Sequence, residues 1–211
     1  MTKQKVRFDL RQEAYKKMEQ LHPHQIMLYV SMIGSAIIFL FMIVAFAVSR
    51  PEAADFVKMN FPKSFVISTI VLLLSSFSMS KVVPAYEQDD IEELKKWMGI
   101  TFLLGLLFSA TQITGWKELQ ENSIYFTGND TGKPGTYLYV ISGLHIIHMV
   151  GVMTFLLVLL LQCHKVSKDV VKQLVYSTTP YQKIKFKMLA DFWHFVDVLW
   201  VVLFLYFLFT F

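Results

Sequence analysis

The sequence predicts an all-α polytopic membrane protein, a bundle of five transmembrane helices with its N-terminus inside and its C-terminus outside. Three observations carry that prediction. Five uninterrupted apolar segments are long enough to cross a hydrocarbon core ~30 Å thick, for which about 20 helical residues suffice. Only 17% of the 211 residues are charged, against 55% hydrophobic, whereas a soluble domain covers itself with roughly 25% charged residues. Basic residues are also segregated, with fifteen of the twenty Lys and Arg in alternate polar segments. In lipid the backbone must satisfy its own hydrogen bonds, and continuous apolar runs without period-two alternation select helices over a closed barrel.

Residues 1–25 form a polar basic arm containing Lys3, Lys5, Arg7, Arg11, Lys16 and Lys17. Within it Val6, Leu10, Ala14, Met18 and Leu21 recur at helical spacing. That pattern fits a helix lying on the inner membrane surface and equally a solvated or partner-covered arm. The first span, 26–48, ends near Ala45-Phe46-Ala47, a small-x-small cleavage pattern, but the polar lead and the apolar run are both too long for a cleaved signal peptide. The second span, 65–83, carries Ser75, Ser76, Ser78 and Ser80, suited to tight helix packing or to bonding back onto their own helix. The third, 97–116, holds Gln112 near its outer end.

The fourth span, 137–162, places His145 and His148 three apart, beside Gly143 and Gly151. That spacing puts both histidines on one helical face, and the glycines predict close helix approach there. The fifth, 189–211, has Asp191 at its inner edge, then His194 and Asp197 three apart, with Trp193 and Trp200 seven apart on a neighbouring face. Arg50-Pro51, Pro84, the 128–135 stretch and Thr179-Pro180 supply turn chemistry between the spans. Residues 26–211 are thus expected to form one membrane domain.

Orientation follows from counting positive charge. The arm, the second connection (Lys81, Lys95, Lys96) and the fourth (Lys165, Lys168, Lys172, Lys183, Lys185, Lys187) hold fifteen Lys and Arg, and the opposite side holds five, Arg50, Lys58, Lys63, Lys117 and Lys133. The positive-inside rule then puts the N-terminus inside.

A charged group at the centre of a spanning helix costs ~2.5–3.5 kcal/mol on insertion scales, so the few intramembrane polar groups are the informative ones. At 1.5 Å per residue, His148 lies about 16 Å and Asp197 roughly 18 Å from the outer surface. Spans four and five are therefore expected to pack with His148 near Asp197 or His194, each answering the other's desolvation. Several chemistries compete for such a cluster. Haem ligation needs an axial pair, and His145 and His148 on one face cannot both serve one iron, so His194 would have to supply the partner. Zinc or copper needs three or four convergent ligands, with no sulfur at hand. A proton pathway needs relays across the membrane, where spans one and two offer hydroxyls and span three one amide. A polar cluster that fixes helix packing needs none of these. Cys163, the single cysteine, cannot form an internal disulfide. Asn129-Asp130-Thr131 matches a glycosylation pattern that matters only in a secretory compartment.

The last span makes the sequence recognisable. Trp193-His194-Phe195-Val196-Asp197-Val198-Leu199-Trp200 resembles the W-H-F-V-D-x-x-W signature of subunit III of haem-copper oxidases, the cytochrome c oxidase type. Ser142-Gly143-Leu144-His145-Ile146-Ile147-His148-Met149-Val150-Gly151 resembles the family's T-G-x-H-x-x-H-V-x-x-G run. Gly105-Leu106-Leu107-Phe108, followed by Gln112 and Trp116, is similar to the helix ending in Q-x-x-E-[WY], and Gly135-Thr136 stands where the family has G-[ST]. The resemblance covers about residues 25–211 and matches the short five-helix form, which lacks the first two helices of the seven-helix form. Two departures stand out: Ser35, within Gly34-Ser35-Ala36, replaces a membrane-embedded Glu, and Gly115 replaces the Glu of Q-x-x-E-[WY]. No role of either carboxylate carries over.

The resemblance implies a non-catalytic accessory subunit of an aerobic cytochrome c oxidase in the bacterial inner membrane, with haem and copper carried by its partners, subunits I and II. It implies that the chain itself holds no redox centre, catalytic residue or metal. Its roles would be to stabilise the catalytic subunit, hold structural phospholipid and support proton uptake, with membership of a larger respiratory supercomplex open and no nucleic-acid partner. It makes His145, His148, His194, Asp197 and Gln112 an internal polar cluster, and gives Trp193 and Trp200 to helix packing or lipid contact. Lys183, Lys185 and Lys187 are candidates for lipid phosphates. An accessory subunit of a quinol oxidase or nitric oxide reductase would use the same fold. A small membrane transporter, from a different class, would need polar residues in spans one to three that are absent.

Overall fold

The structure, a computed structural model, describes residues 22–48, 63–121, 126 and 132–210. Residues 1–21 of the basic arm, Arg50-Pro51 and the Asn129-Asp130-Thr131 pattern lie outside these residues, and the arm's last three residues, 23–25, already belong to the first helix. Among the described residues all regular secondary structure is helical: α1 (Pro23–Val48), α2 (Lys63–Met79), α3 (Val82–Glu87), α4 (Ile91–Glu121), α5 (Gly132–Val166), α6 (Val170–Thr178) and α7 (Pro180–Thr210). Five segments are long and apolar enough to cross a membrane, Pro23–Val48, Lys63–Glu87, Ile91–Glu121, Thr136–Val166 and Pro180–Phe209. They match the expected spans in number and order. The chain is a multi-pass membrane protein.

The helices overrun the apolar stretches because polar residues continue them past the hydrocarbon. α4 starts six residues before the expected span, with Glu92 and Glu93 in its first turn, where carboxylates favour the positive end of the helix dipole. Expected turn residues are likewise absorbed. Pro84 lies inside α3 and Pro180 opens α7, both in first turns where a missing N–H costs nothing. The break after α3 is a tight corner at Asp89, a non-glycine residue with positive φ, 58°. Asp90 N–H donates to the Ala85 carbonyl and Asp89 N–H to that of Tyr86, the paired bonds of a left-handed helix stop. Asp90 then caps α4, its carboxylate accepting from Glu93 N–H at 2.9 Å.

α2, α4, α5 and α7 form the central group, and α1 lies in the groove between α5 and α7. α3 and α6 sit at the end that carries the basic connections. There the Tyr86 hydroxyl lies 3.0, 3.1 and 3.2 Å from the Tyr176, Ser177 and Thr179 carbonyls, which the end of α6 leaves without helical partners. Trp193, Trp200, Phe65, Phe108, Leu72 and Met98 are buried in the centre, while Ile37, Phe41, Leu73, Phe77, Ile147 and Val202 point outward. An apolar exterior around an aromatic interior is what lipid as solvent requires.

Close approach occurs at glycines other than those expected. A Cβ on Gly143 or Gly151 would meet nothing within 4 Å, so neither admits a neighbouring helix. The tight positions are on α4, where a Cβ on Gly115 would lie 2.5 Å from the Phe65 ring and one on Gly105 3.1 Å from the Trp193 indole. Gly115→Ala is therefore expected to destabilise the bundle by about 1–3 kcal/mol through overpacking, with Gly143→Ala inside about 0.5 kcal/mol of wild type. Thermal unfolding of both variants in one detergent checks this, and equal effects would contradict it.

Candidate functional site

α2 owes its central position to hydroxyls. In a span the backbone bonds are internal, and Ser or Thr can donate its own proton to a carbonyl three or four residues back, leaving its oxygen free to accept. Ser68 and Thr69 donate to the Phe65 carbonyl at 2.9 and 2.8 Å, Ser75 to that of Leu72 at 2.7 Å, and Ser78 to that of Ser75 at 2.9 Å. The freed oxygens take donors from both flanking helices. From α4, Gln112 Nε2 donates to Ser68 Oγ at 2.9 Å, and the hydroxyls of Thr101 and Ser78 are 2.6 Å apart. Ser64 meets the Glu118 carboxylate and receives Thr114 Oγ1 at 3.2 Å. From α7, Trp200 Nε1 donates to Thr69 Oγ1 at 3.0 Å and Trp193 Nε1 to Ser75 Oγ at 3.3 Å.

The three histidines of the spans face different neighbours. His148 Nδ1 lies 2.9 Å from the Leu144 carbonyl, which only accepts, so in the neutral ring Nδ1 carries the proton. Its Nε2 then accepts from the Ser35 hydroxyl of α1 at 3.0 Å. His194 lies on the far side, with Nδ1 2.9 Å from Ser76 Oγ and 3.9 Å from the Asp197 carboxylate. His145 is fully buried against the Trp200 indole at 5.0 Å and the Phe108 ring at 5.8 Å, with both nitrogens unpartnered. Asp197 is 4% exposed and its oxygens likewise have no hydrogen-bond partner. At the basic end Tyr29 of α1 donates to Asp191 of α7 at 2.7 Å.

Spans four and five do pack, but His148 does not turn to Asp197 or His194. The depth estimate fixes height along the axis and says nothing of azimuth. His145 faces α7, His148 faces α1, and His194 with Asp197 faces α2. Trp193 and Trp200 are 0% and 1% exposed, enclosed by neighbouring helices. His145 is enclosed by rings and His194 lies beside Ser76. Among the described residues, no three of His, Cys, Asp or Glu come together as a metal site.

Two of the three lysines expected at lipid phosphates have protein partners. Lys183 pairs with Glu87 at 2.8 Å, and Lys185 lies 4.7 Å over the Tyr181 ring. Nearby, burial pushes the Tyr176 phenol up, with the Cys163 thiol adding to it. The Lys172 side chain, ahead of the amides at the start of α6, holds the Asp169 carboxyl below its usual range. Ser64, Ser68, Thr69 and Thr101 were not singled out from sequence, nor was the bond between Tyr29 and Asp191. The signal for α2 was available in the recurrence of hydroxyls at 64, 68, 75 and 78, near the helical repeat.

Comparison with known proteins matches residues 56–211 to the family model described as cytochrome c oxidase subunit III. A probable cytochrome c oxidase subunit 3 of Mycobacterium tuberculosis is 32% identical over 136 residues, 64% of this chain and 61% of the relative. The cytochrome c oxidase subunit 3 of Synechocystis sp. is 31% identical over 181 residues, 82% of this chain and 70% of the relative. That of Papio hamadryas is 31% identical over 140 residues, covering 66% and 48% respectively. The chain thus spans about three fifths of the length of the mycobacterial relative it matches.

Two measurements test the polar contacts. Thr69→Val keeps the volume but leaves the Trp200 indole N–H without an acceptor, and should cost about 0.5–2 kcal/mol. Ser80→Ala, which loses only an exposed bond to its own helix, should cost under about 0.5 kcal/mol. In double-mutant cycles on unfolding stability, Ser35→Ala with His148→Ala should show coupling of about 0.5–1.5 kcal/mol, and His148→Ala with Asp197→Asn should add within about 0.5 kcal/mol. The reverse pattern would restore the pairing expected from depth alone.

Proposed function

The chain belongs to the cytochrome c oxidase subunit III family, and from that premise we propose that it is a non-catalytic accessory subunit of a bacterial cytochrome c oxidase. In this reading it sits in the inner membrane with its N-terminus inside, beside subunits I and II, which carry haem and copper. It steadies the catalytic subunit, retains phospholipid and supports proton uptake. The observation that supports this most is the matched signature in α7. Its tryptophans and His194 are all engaged with α2, so the motif works as packing inside the chain and leaves the chemistry to partners.

Ser35 bears on proton uptake. A hydroxyl bonded to His148 at this depth holds α1 in place but offers no carboxyl proton, so no uptake role of a carboxylate at this position is proposed for the chain.

Affinity purification of the tagged chain in mild detergent should recover a haem-copper catalytic subunit, and recovery of the chain alone would refute the assignment. Deleting the chain should leave the haem absorption spectrum unchanged while oxygen-consumption activity decays faster during sustained turnover. Loss of the haem bands would instead give the chain a part in cofactor retention.

A further inference from the structure

A groove between α4 and α5 at the basic end of the bundle is unused by the polar cluster. It has a volume of roughly 480 Å³ and is lined by Glu92, Lys95 and Lys96 of α4 and by Leu160, Leu161 and His164 of α5. Its chemistry changes along the bundle axis. The two leucines lie toward the hydrocarbon, about one turn or 5 Å below His164, and Leu161 is 53% exposed, so the apolar floor opens sideways onto the lipid-facing surface. The lysines form the upper wall. Lys95 Nζ is held 2.6 Å from the Glu92 carboxylate and 3.0 Å from Ser167 Oγ. Glu92 therefore offsets Lys95, and Lys96 remains as the net positive charge of the groove.

α6 fixes the depth independently. Val171, Leu174 and Val175 share one face of this helix and are 72%, 66% and 61% exposed, yet α6 joins two spans at the same end. A short amphipathic helix so placed lies at the boundary between headgroups and acyl chains. Ser167, the partner of Lys95, stands two residues before the Asp169 cap of α6. The groove lysines are thus at phosphate level and its leucines at acyl level.

We propose that this groove binds an anionic glycerophospholipid, with the phosphate at Lys95 and Lys96 and one acyl chain over Leu160 and Leu161. Basic pockets between spanning helices hold anionic headgroups in this way. A zwitterionic headgroup would bring its own cation to Lys96, and free phosphate would leave the leucines uncovered. The proposal gives a location to the phospholipid retention proposed above and rests on that reading only for its membrane setting.

Native mass spectrometry of the full chain in detergent, titrated with dioleoyl phosphatidylglycerol or dioleoyl phosphatidylcholine, tests it. Phosphatidylglycerol should be retained about fivefold more strongly, Lys96→Gln should remove about that factor, and excess inorganic phosphate should leave the adduct in place. Equal retention of both lipids, or unchanged retention in Lys96→Gln, would overturn the site. Displacement by phosphate would also overturn it, by making the ligand the free anion. A second measurement needs no variant: phosphatidylglycerol with a photoactivatable acyl chain should label the segment containing Leu160 and Leu161, and labelling confined to other segments would reject the groove. Both readouts are independent of whether the chain is recovered with an oxidase, so failure here is distinct from failure of the functional assignment.

Discussion

An indole N–H buried in a bilayer has no water to bond, so its acceptor must come from a neighbouring helix. That constraint organises this bundle. Trp193 and Trp200 of α7 reach Ser75 and Thr69 of α2, and Gln112 of α4 reaches Ser68. One helix therefore supplies acceptors to both of its neighbours, and each acceptor is available because its hydroxyl has donated to the α2 backbone. In water such a helix would be unremarkable. In lipid, where apolar side chains gain little by choosing protein over acyl chains, hydrogen bonds and close packing are what distinguish one arrangement from another.

The same tryptophans set register through shape. A Cβ at Gly105 would come within 3.1 Å of the Trp193 ring, so the indole rests on bare α4 backbone while its nitrogen bonds α2. Three helices meet at one side chain. Gly115 does the equivalent for Phe65, which packs edge-on against Trp200 with centroids 5.9 Å apart. Each contact fixes a height along the axis, and two heights suffice to exclude a one-turn slip of α4 against its neighbours.

The fold was largely legible in the sequence because hydrophobic length is a one-dimensional property. Five runs gave five spans in order, and residues 193–200 carried the resemblance that the family match supports. What was illegible depends on angle around the helix axis. His148 and Asp197 were placed at similar depth, yet His148 faces Ser35. Gly143 and Gly151 looked like contact glycines and point to open space, whereas Gly105 and Gly115 are covered. The span ends were drawn short because hydropathy stops where lipid stops, while the backbone stays helical until a capping residue such as Asp90 ends it. The hydroxyls of α2 fell between these cases. Their composition was visible, but which of them face α4 and which α7 needed the partners' positions.

α1 is held to the rest through Ser35 with His148 and Tyr29 with Asp191, partners 113 and 162 residues further along the chain. At a synthesis rate of roughly 5–20 residues per second, the second partner follows its tyrosine by on the order of 10–30 s. During that interval α1 resides in the bilayer first with neither anchor and then with only the partner of Ser35 in place. Its own composition permits the wait, since residues 26–48 contain no charged side chain. α7, which brings Asp197 and His194, is the last of these helices to be made and meets an α2 whose acceptors are already in place. The order of residues along the chain thus delivers the spans least able to stand alone in lipid only after the helix that receives them.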